Sequence, residues 1–363
     1  MRRRERRDTP AARRRAPALA AGRRGAGGDG RRGARERRRG HRRGRSPGRP
    51  RVDAPPALAP PRAGGPPARG GRLRRETTPS SQGTGGDRRE ASGRPVIRIE
   101  PGAGDRDVTF FRLARTLAGR PLYWSGAYLV GGALVDCGPP VTAPELTRAL
   151  DGRRVDALLV THHHEDHMGA AALLGRHRGL VPKIHASGVP RLERGFPQET
   201  YRRVAWGRPP RVHAEALGAE EAVGALRFEV IPTPGHSADH VCFFERERGW
   251  LFTGDLFLAE RLRYLRDDED LDSLITSLES VARLPLTRVF CAHRGPVRDG
   301  PAALRRKAEH LSGLRQSARE LLAQGLPERE VTRRAVGPEG FLTWFSLGRF
   351  SARNFVKAVA RGR

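Results

Sequence analysis

One feature restricts the folds open to this chain. It is an apolar run of strand length that ends in a cluster of ligand-type side chains. The run "RVDALLV" at residues 154–160 leads directly into "THHHEDH" at residues 161–167. A short apolar run of this kind is typical of a strand that is buried on both faces. The chain must therefore bury this strand between layers and still present the polar cluster at its carboxyl end.

The spacing within the cluster predicts a site for two neighbouring metal ions. In extended backbone, residues i and i+2 lie on one side, so His162 and His164 point together while His163 points away. Asp166 and His167 then fall at the start of the following helix, turned toward an adjacent position. The pattern His-x-His-x-Asp-His has four fixed positions and seldom arises by chance, so the cluster indicates a metal site rather than a solvated turn.

Further ligand-type residues follow other apolar strands of the sequence. "IPTPGHSADH" supplies His236, "LFTGDLF" supplies Asp255 and "VFCAHRGP" supplies His293. Neutral imidazoles and carboxylates without a thiolate suit zinc, iron or manganese. Two such ions about 3.5–4 Å apart can hold a hydroxide between them, which would attack a carbonyl or phosphoryl centre at neutral pH.

Over about residues 105–300 the chain resembles the metallo-β-lactamase-fold superfamily. The resemblance is carried by "THHHEDHMGA", "PTPGHS", "FTGDLF" and "CAHRG", in the order and rough spacing of that superfamily. It implies an α/β protein of the α+β kind, an αββα sandwich with the site along one edge between two sheets. It also implies two divalent metal ions, zinc before iron or manganese, with Asp166 as the catalytic residue that orients the hydroxide and passes its proton to the leaving group. The implied metal ligands are His162, His164 and His236 for one ion, Asp166, His167 and His293 for the other, and Asp255 as the bridge.

The resemblance is nearest to glyoxalase II-like hydrolases and related proteins with a helical C-terminal extension. It implies a hydrolase that uses a dimetal-bridged hydroxide to cleave a thioester or another small ester. One alternative is an endoribonuclease or phosphodiesterase of the same fold, and another is an iron-dependent persulfide dioxygenase. Only 38 positions separate Asp255 from His293, which leaves no room for the long inserted domain of RNA-processing members.

Composition divides the chain into three predicted parts. Residues 1–95 hold 29 arginines, no lysine and eight acidic residues, with few large apolar residues, so we expect a disordered tail. This tail is either a basic arm for nucleic acid or another anionic surface, or a stretch that is untranslated or has no function. Residues 96–300 are expected to form the catalytic domain, and residues 301–363 a helical extension.

The expected partner is a small-molecule substrate, with nucleic acid as a possible second partner and no membrane. The sequence has no apolar run of 18 residues and no apolar segment after its basic N-terminus. The three cysteines, Cys137, Cys242 and Cys291, form no CxxC pair and no disulfide framework. These features predict a cytoplasmic protein.

Local patterns predict individual elements. Gly131 and Gly132 indicate a hairpin turn between two strands. Thr142 and Glu145 have the spacing of a capping box at the start of a helix. The stretch "LDSLITSLESVARL" is an amphipathic helix with one apolar face, formed by Leu271, Leu274, Ile275, Leu278 and Val281.

Other residues near the predicted site receive secondary interpretations. Asp136 in "LVDCG" is expected to be a buried anchor for a ligand, and His163 and His185 are expected not to bind metal. His240 is interpreted either as a support for a ligand or as a surface residue.

Segments that flank the predicted site are interpreted as substrate contacts. Residues 189–211 and 256–270 are expected to be polar loops that form lids, and Arg263 and Tyr264 are candidate contacts for an anionic substrate. The aromatic residues of "FLTWFSLGRFSARNF" are expected to dock the C-terminal helices on the sandwich, or in part to line an acyl or thiol pocket. These residues are Trp344, Phe345, Phe350 and Phe355.

Overall fold

The structure is a computed structural model that describes residues 95–362. The expectation of a disordered tail at residues 1–95 lies outside the described residues, apart from Pro95, which begins the first strand. The described residues fall within one compact unit. Among them, no helix has the length and apolar character that a bilayer span requires.

Strands supply the framework of the fold. Most are short, and they are connected by tight turns or by helices. The strands are β1 (Pro95–Pro101), β2 (Val108–Leu117), β3 (Arg120–Pro121), β4 (Ser125–Val130), β5 (Ala133–Val135), β6 (Ala157–Leu159), β7 (Pro182–Ile184), β8 (Glu215–Ala216), β9 (Glu220–Val223), β10 (Leu226–Pro232), β11 (Val241–Glu245), β12 (Trp250–Phe252), β13 (Leu265–Arg266), β14 (Arg288–Cys291), β15 (Gly295–Pro296) and β16 (Phe350–Ser351).

Helices lie between the strands and after them. The helices are α1 (Ala143–Ala149), α2 (Glu165–Met168), α3 (Ala171–Arg178), α4 (Val189–Arg194), α5 (Thr200–Trp206), α6 (Leu271–Ala282), α7 (Gly300–Ala323), α8 (Glu328–Val331), α9 (Phe341–Phe345) and α10 (Ala352–Arg361). A 3₁₀ turn at Pro140–Thr142 precedes α1, and a π-helical segment at Thr332–Val336 continues α8.

The strands form two large sheets and one short ribbon. The first sheet has the order β1-β2-β4-β5-β6-β7-β8, with β3 paired to β2. The second has the order β15-β14-β12-β11-β10-β9, and β13 pairs with β16. Parallel pairing is limited to β5-β6-β7-β8 in the first sheet and β12-β14 in the second. The carboxyl ends of β5 and β6 therefore lie at one edge of the first sheet, and those of β12 and β14 at one edge of the second.

Three apolar layers hold the sheets and helices together. One cluster packs α1 and α3 on the outer face of the first sheet, and another packs α6, α7 and α10 on the outer face of the second. The third cluster lies between the two sheets. The layer order is helix, sheet, sheet, helix, so the structure confirms the αββα sandwich.

Successive residues of one strand serve different layers, which explains why the strands are almost continuously apolar. On β2, Phe110 belongs to the layer between the sheets and Phe111 to the outer layer. On β11, Phe243 faces the middle layer and Phe244 the outer layer. A strand covered on both faces needs apolar residues at consecutive positions rather than at alternate ones.

Some of the predicted elements are confirmed and others are not. The hairpin between β4 and β5 turns at Gly131 and Gly132, whose φ angles are 54° and 92°. Helix α6 buries all five residues of its predicted apolar face. The predicted capping box is wrong, because the hydroxyl of Thr142 donates to the carbonyl of Pro139 and makes no cap bond to α1. The segment 189–211 is not a plain loop, since it contains α4 and α5.

A buried lysine connects α7 to the turn after β12. The ammonium group of Lys307 donates to the carbonyl oxygen of Leu256 at 2.6 Å, and the side chain is almost fully buried. Burial lowers the pKa of Lys307 from its ordinary value of 10.5 to about 8, although Glu269, Cys291 and Asp255 act in the opposite direction. The folded protein therefore holds this proton less tightly than the unfolded chain.

We expect this lysine to make stability depend on pH. Between pH 8 and 10.5 the unfolded chain binds a proton that the folded protein has lost, so the free energy of unfolding rises with pH in that window. Relative to that of Lys307→Met, the free energy of unfolding of the wild type should rise by about 3 kcal/mol from neutral to alkaline pH, as measured by urea unfolding. Lys357→Met, at an exposed position of α10, is the control. A constant difference between the wild type and Lys307→Met at every pH would contradict the expectation.

Candidate metal centre

The predicted cluster lies where β6 ends and α2 begins. After β6 the chain is irregular through His164, which precedes the first turn of α2 in extended backbone. The short helix then turns Asp166 and His167 toward the same side as His162. All six residues from His162 to His167 are buried, so these side chains point into the edge of the sandwich rather than into solvent.

Three ring nitrogens meet at the first group of candidate ligands. Nε2 of His162 lies 2.8 Å from Nδ1 of His164, and Nε2 of His236 lies 3.0 Å from the same atom. His236 reaches this point from the turn after β10, where Gly235 has a φ of 133°. A Cβ at Gly235 would lie 2.5 Å from the Cα of Leu274, so the close approach of α6 requires glycine here.

The second group combines Asp166, His167 and His293. Nε2 of His293 lies 3.6 Å from Oδ2 of Asp166, and Nε2 of His167 lies 3.8 Å from the same oxygen. His293 follows β14, and Asp255 follows β12. Because these two strands are parallel neighbours, they bring both side chains to one edge of the sheet.

Asp255 lies between the two groups. One of its oxygens, Oδ2, is 3.3 Å from Nε2 of His236 in the first group. The other, Oδ1, is 3.3 Å from Nε2 of His167 and 2.9 Å from Nε2 of His293 in the second group. A carboxylate in this position has one oxygen for each group. The structure thus brings together all seven residues that the sequence singled out as candidate metal ligands.

The outer nitrogens of three candidate ligands are held by oxygen acceptors. Nδ1 of His167 lies 2.8 Å from Asp136, and Nδ1 of His236 lies 2.7 Å from Glu269. Nδ1 of His293 lies 2.6 Å from the carbonyl oxygen of Trp124. An acceptor at Nδ1 keeps the proton on that nitrogen, which leaves the Nε2 lone pair free to point at the centre of the site.

Of these acceptors, Asp136 was expected and Glu269 was not. Asp136 is buried as predicted, and it also accepts hydrogen bonds from the backbone and the hydroxyl of Thr161. Its φ of 58° is rare for a residue with a side chain, which places a strained position beside the site. Glu269 was missed because it stands in a charged stretch, "RDDED", in which no spacing separates one carboxylate from the next.

The inner atoms of the site match the needs of bound cations. Nε2 of His167 and Oδ1 of Asp255 are buried and have no hydrogen-bond partner among residues 95–362. Buried polar atoms without partners are rare in native proteins and call for an explanation. Imidazole nitrogens and carboxylate oxygens that point at one another from several sides are ligands of a divalent metal ion. The groups His162–His164–His236 and Asp166–His167–His293 could each hold one ion.

Burial and charge act differently on the two groups. Burial lowers the pKa of His162 and of His164 well below the ordinary value, so both rings are neutral. Burial also acts to lower the pKa of His167 and His293, but the nearby carboxylates, Asp255 foremost, outweigh it and raise both values. The second group therefore favours positive charge, which a cation would supply.

The remaining histidines near the cluster lie outside the two groups. Nδ1 of His163 lies 2.8 Å from Oδ1 of Asp239, and His163 is in neither group of candidate ligands. Nε2 of His240 accepts the backbone N–H of Asp255 at 3.1 Å, and the ring is buried, so His240 supports a candidate ligand and is not a surface residue. Nδ1 of His185 lies 2.9 Å from the hydroxyl oxygen of Ser187, and His185 is in neither group of candidate ligands.

A buried ion pair connects the cluster to α5. The guanidinium of Arg202 donates to both carboxylate oxygens of Glu165, at 2.6 and 2.9 Å, and both residues are buried. Glu165 stands between His164 and Asp166, so the pair holds the backbone that carries these candidate ligands. Sequence reasoning missed this pair, because nothing near Arg202 in the chain indicates its distant partner.

The flanking segments differ from the expectations in part. Arg263 donates to the hydroxyl of Tyr264 at 3.4 Å, and Tyr264 lines a cavity of about 20 Å³ with His236 and Asp255. Room of this size suits roughly one water molecule. Of the C-terminal aromatics, Phe355 is fully buried as a docking residue, whereas Trp344 is exposed and docks nothing.

Removal of one partner of the Arg202–Glu165 pair is expected to be costly. Arg202→Met leaves the Glu165 charge buried without a partner, which should lower the free energy of unfolding by about 3–5 kcal/mol. The double variant Arg202→Met/Glu165→Gln should recover a large part of this loss. Urea unfolding measures both. Arg148→Met is the control, because Arg148 forms an exposed pair with Glu145 and should cost about 1 kcal/mol or less. Equal losses for Arg202→Met and Arg148→Met would refute the expectation.

Comparisons with known proteins agree with the geometry of the site. The model of the metallo-beta-lactamase superfamily matches residues 127–293. The chain is 31% identical over 175 residues to the hydroxyacylglutathione hydrolase of Legionella pneumophila (strain Corby), a match that covers 47% of this chain and 61% of that protein. It is 28% identical over 254 residues to the beta-lactamase-like protein 2 homolog of Caenorhabditis elegans, which covers 66% of this chain and 78% of that protein. The chain thus spans about three-fifths of the length of the Legionella relative.

Solved structures are also similar to this chain. A metallo-beta-lactamase family protein from Thermus thermophilus is 24% identical, with a TM-score of 0.48, and covers 70% of this chain and 93% of that one. A metallo-beta-lactamase from Pontibacter korlensis is 19% identical, with a TM-score of 0.48, and covers 60% of this chain and 99% of that one. The matched residues 127–293 run from β4 to the last candidate ligand, so they include the whole site. Residues 127–293 therefore form a metallo-β-lactamase superfamily domain.

Proposed function

We propose that this protein is a metal-dependent hydrolase that cleaves a thioester or another small ester. The observation that carries the proposal is the meeting of seven side chains from four separate loops, with Nε2 of His167 and Oδ1 of Asp255 buried and without a hydrogen-bond partner among residues 95–362. Similarity to hydroxyacylglutathione hydrolases supports a substrate in which an acyl group is joined to a thiol.

The ligand set divides between two ions, for which zinc is the proposed metal. His162, His164 and His236 would hold the first ion, and Asp166, His167 and His293 the second, with Asp255 shared. Nitrogen and oxygen donors without a thiolate also suit iron or manganese. When bound, two such cations supply Lewis acidity, which lowers the pKa of water and stabilises negative charge on the substrate.

The chain's own residues would direct the reaction. The carboxylate of Asp166 lies at the edge of the second group, where it can orient an attacking water and hold its proton at Oδ2 before the leaving group takes it. Arg266 lies beside the first group, since one of its nitrogens is 3.2 Å from Nε2 of His164. Its two acidic neighbours, Asp268 and Glu269, outweigh burial and keep the pKa of Arg266 raised, so it supplies permanent positive charge near the reacting carbonyl.

Metal content is expected to follow the division of ligands. The purified wild type should hold about two divalent ions per chain, measured by inductively coupled plasma mass spectrometry. His236→Ala should lose the first ion, His293→Ala the second, and Asp255→Asn should weaken both, because its side chain lies between the two groups. His185→Ala, a histidine outside the site, is the control. Unchanged stoichiometry in all three variants would show that these residues do not bind metal.

Hydrolysis of a substrate panel tests the activity itself. The metal-loaded protein should cleave a glutathione thioester or an acyl-coenzyme A in preference to a lactone, a phosphodiester or RNA. Asp166→Asn should reduce kcat by roughly 10²–10⁴-fold. The metal content of this variant is measured in the same samples. Failure to turn over any of the five substrates with two ions bound would refute the hydrolase proposal, and cleavage of RNA alone would favour a nuclease.

A further inference from the structure

Tyr123 lies at the most exposed side of the candidate metal centre. Of the seven candidate ligands, His293 and Asp255 are the most exposed, at 8% each, so solvent approaches the site from their side. The ring of Tyr123 lies 5.0 Å from that of His293, and Tyr123 is itself 45% exposed. Tyr123 therefore lines the approach to the second group of candidate ligands.

Neighbouring residues hold Tyr123 in this position. Its ring stands at 84° to the ring of Trp206 at the end of α5, with 5.8 Å between the two centroids. The carbonyl oxygen of the next residue, Trp124, lies 2.6 Å from Nδ1 of His293. The segment that carries Tyr123 is thus tied to the same histidine that its ring contacts.

The hydroxyl end of Tyr123 is directed toward the charged groups of the site. Burial raises the pKa of Tyr123, and the carboxylates of Asp255 and Asp166 raise it further. The guanidinium of Arg294 acts in the opposite direction. A charge shifts a pKa only when it lies nearby, so the hydroxyl is close both to these carboxylates and to this guanidinium. Within residues 95–362 the hydroxyl forms no hydrogen bond, so its proton is available to a ligand.

Arg294 is held through one nitrogen of its guanidinium. Its Nε donates to the carbonyl oxygen of Leu258 at 2.6 Å, which connects the turn that carries His293 to the loop after Asp255. The side chain is exposed, and it forms no ion pair with a carboxylate of residues 95–362. A guanidinium fixed in this way offers its terminal N–H groups to an external carboxylate or phosphate.

Other arginines around the site already have acidic partners. Arg202 is paired with Glu165, and Arg266 is paired with Asp268. An external anion would have to compete with these carboxylates. Since Arg294 has no such partner in the described part of the chain, an anion that reaches it meets no competing carboxylate.

We propose that Arg294 and Tyr123 together bind an anionic group on the leaving group of the substrate. The proposal rests on the hydrolase function proposed above and specifies its substrate class. The substrate is a thioester or ester whose thiol or alcohol portion carries a carboxylate or a phosphate. The leaving group lies on this side because Asp166, which would pass it a proton, belongs to the second group together with His293. The guanidinium donates to the anion through its terminal nitrogens, and the hydroxyl of Tyr123 donates a further hydrogen bond.

Binding of thioether analogues tests the proposal without turnover. The probes form two matched pairs, S-methylglutathione with its diethyl ester and S-methyl-coenzyme A with S-methylpantetheine. The second member of each pair lacks the carboxylates or the phosphates of the first. Isothermal titration calorimetry on the full-length, metal-loaded protein gives their Kd. We expect the wild type to bind the anionic member at least about tenfold more tightly in one pair, and that pair identifies the anion as carboxylate or phosphate.

Variants assign this preference to the two residues. Arg294→Gln should weaken binding of the preferred anionic probe by about tenfold and change binding of its neutral partner less than twofold. Tyr123→Phe removes only the hydroxyl and should weaken binding of the same probe by about fivefold. Arg294→Lys keeps the charge without the planar fork and should lose about threefold. Added salt should reduce the effect of Arg294→Gln, because the residue is exposed.

Arg246→Gln is the matched control variant, since it removes the same charge. Arg246 is exposed and precedes β12, whereas Asp255 follows the carboxyl end of that strand. It therefore lies at the opposite end of β12 from the metal centre. Binding of all four probes should be the same in Arg246→Gln as in the wild type. Arg294→Gln and Tyr123→Phe should keep the metal content of the wild type, because neither residue is a candidate ligand.

Three results would overturn the leaving-group proposal. The first is equal Kd for the two members of both pairs in the wild type, and the second is an effect of Arg294→Gln no larger than that of Arg246→Gln. The third is loss of metal from Arg294→Gln or Tyr123→Phe, since these residues would then support the ligand loops instead of binding substrate. Cleavage of anionic and neutral thioesters with equal kcat/KM would reject this proposal alone. Preference for an anionic probe without turnover of any thioester would reject only the hydrolase function.

Discussion

Every polar atom of a buried imidazole or carboxylate group needs a partner. The arrangement of the rest of the site depends on this constraint. Asp136, Glu269 and the carbonyl of Trp124 take the outer nitrogens of three histidines, and this fixes which nitrogen of each ring turns inward. Two of the inward atoms, Nε2 of His167 and Oδ1 of Asp255, then have no hydrogen-bond partner within residues 95–362. Imidazole and carboxylate groups buried in this arrangement can hold cations.

The αββα sandwich makes that arrangement possible. Strands covered on both faces are apolar along their length, so polar side chains are confined to the turns that follow them. Parallel pairing of β5 with β6 and of β12 with β14 places those turns at the edges of the two sheets. The helices of the C-terminal part pack on the second sheet through α6 and reach the site with Lys307 and with the ribbon of β13 and β16. Fold and site are therefore coupled through the same strand ends.

Local sequence patterns predicted which seven side chains meet, and they predicted the surroundings of these side chains poorly. The spacing of His162 to His167 belongs to one turn, and the motifs around His236, Asp255 and His293 each follow an apolar strand, so short-range rules were sufficient. The capping box at Thr142 was wrong because its hydroxyl finds a closer acceptor in Pro139. The aromatic C-terminal segment was predicted to dock, yet only some of its rings are buried, since helical spacing does not reveal which face meets the sheet.

The sequence by itself determined the layered α/β fold, the identity of the seven candidate ligands and the apolar face through which α6 packs. These are consequences of local periodicity and of residue chemistry at strand ends. Only the tertiary structure decided that Glu269 and Arg202 support the site and that α9 leaves its rings in solvent. Glu269 lies 33 positions from His236 and Arg202 lies 37 from Glu165, and contacts between such distant residues depend on how layers pack rather than on any pattern within one segment.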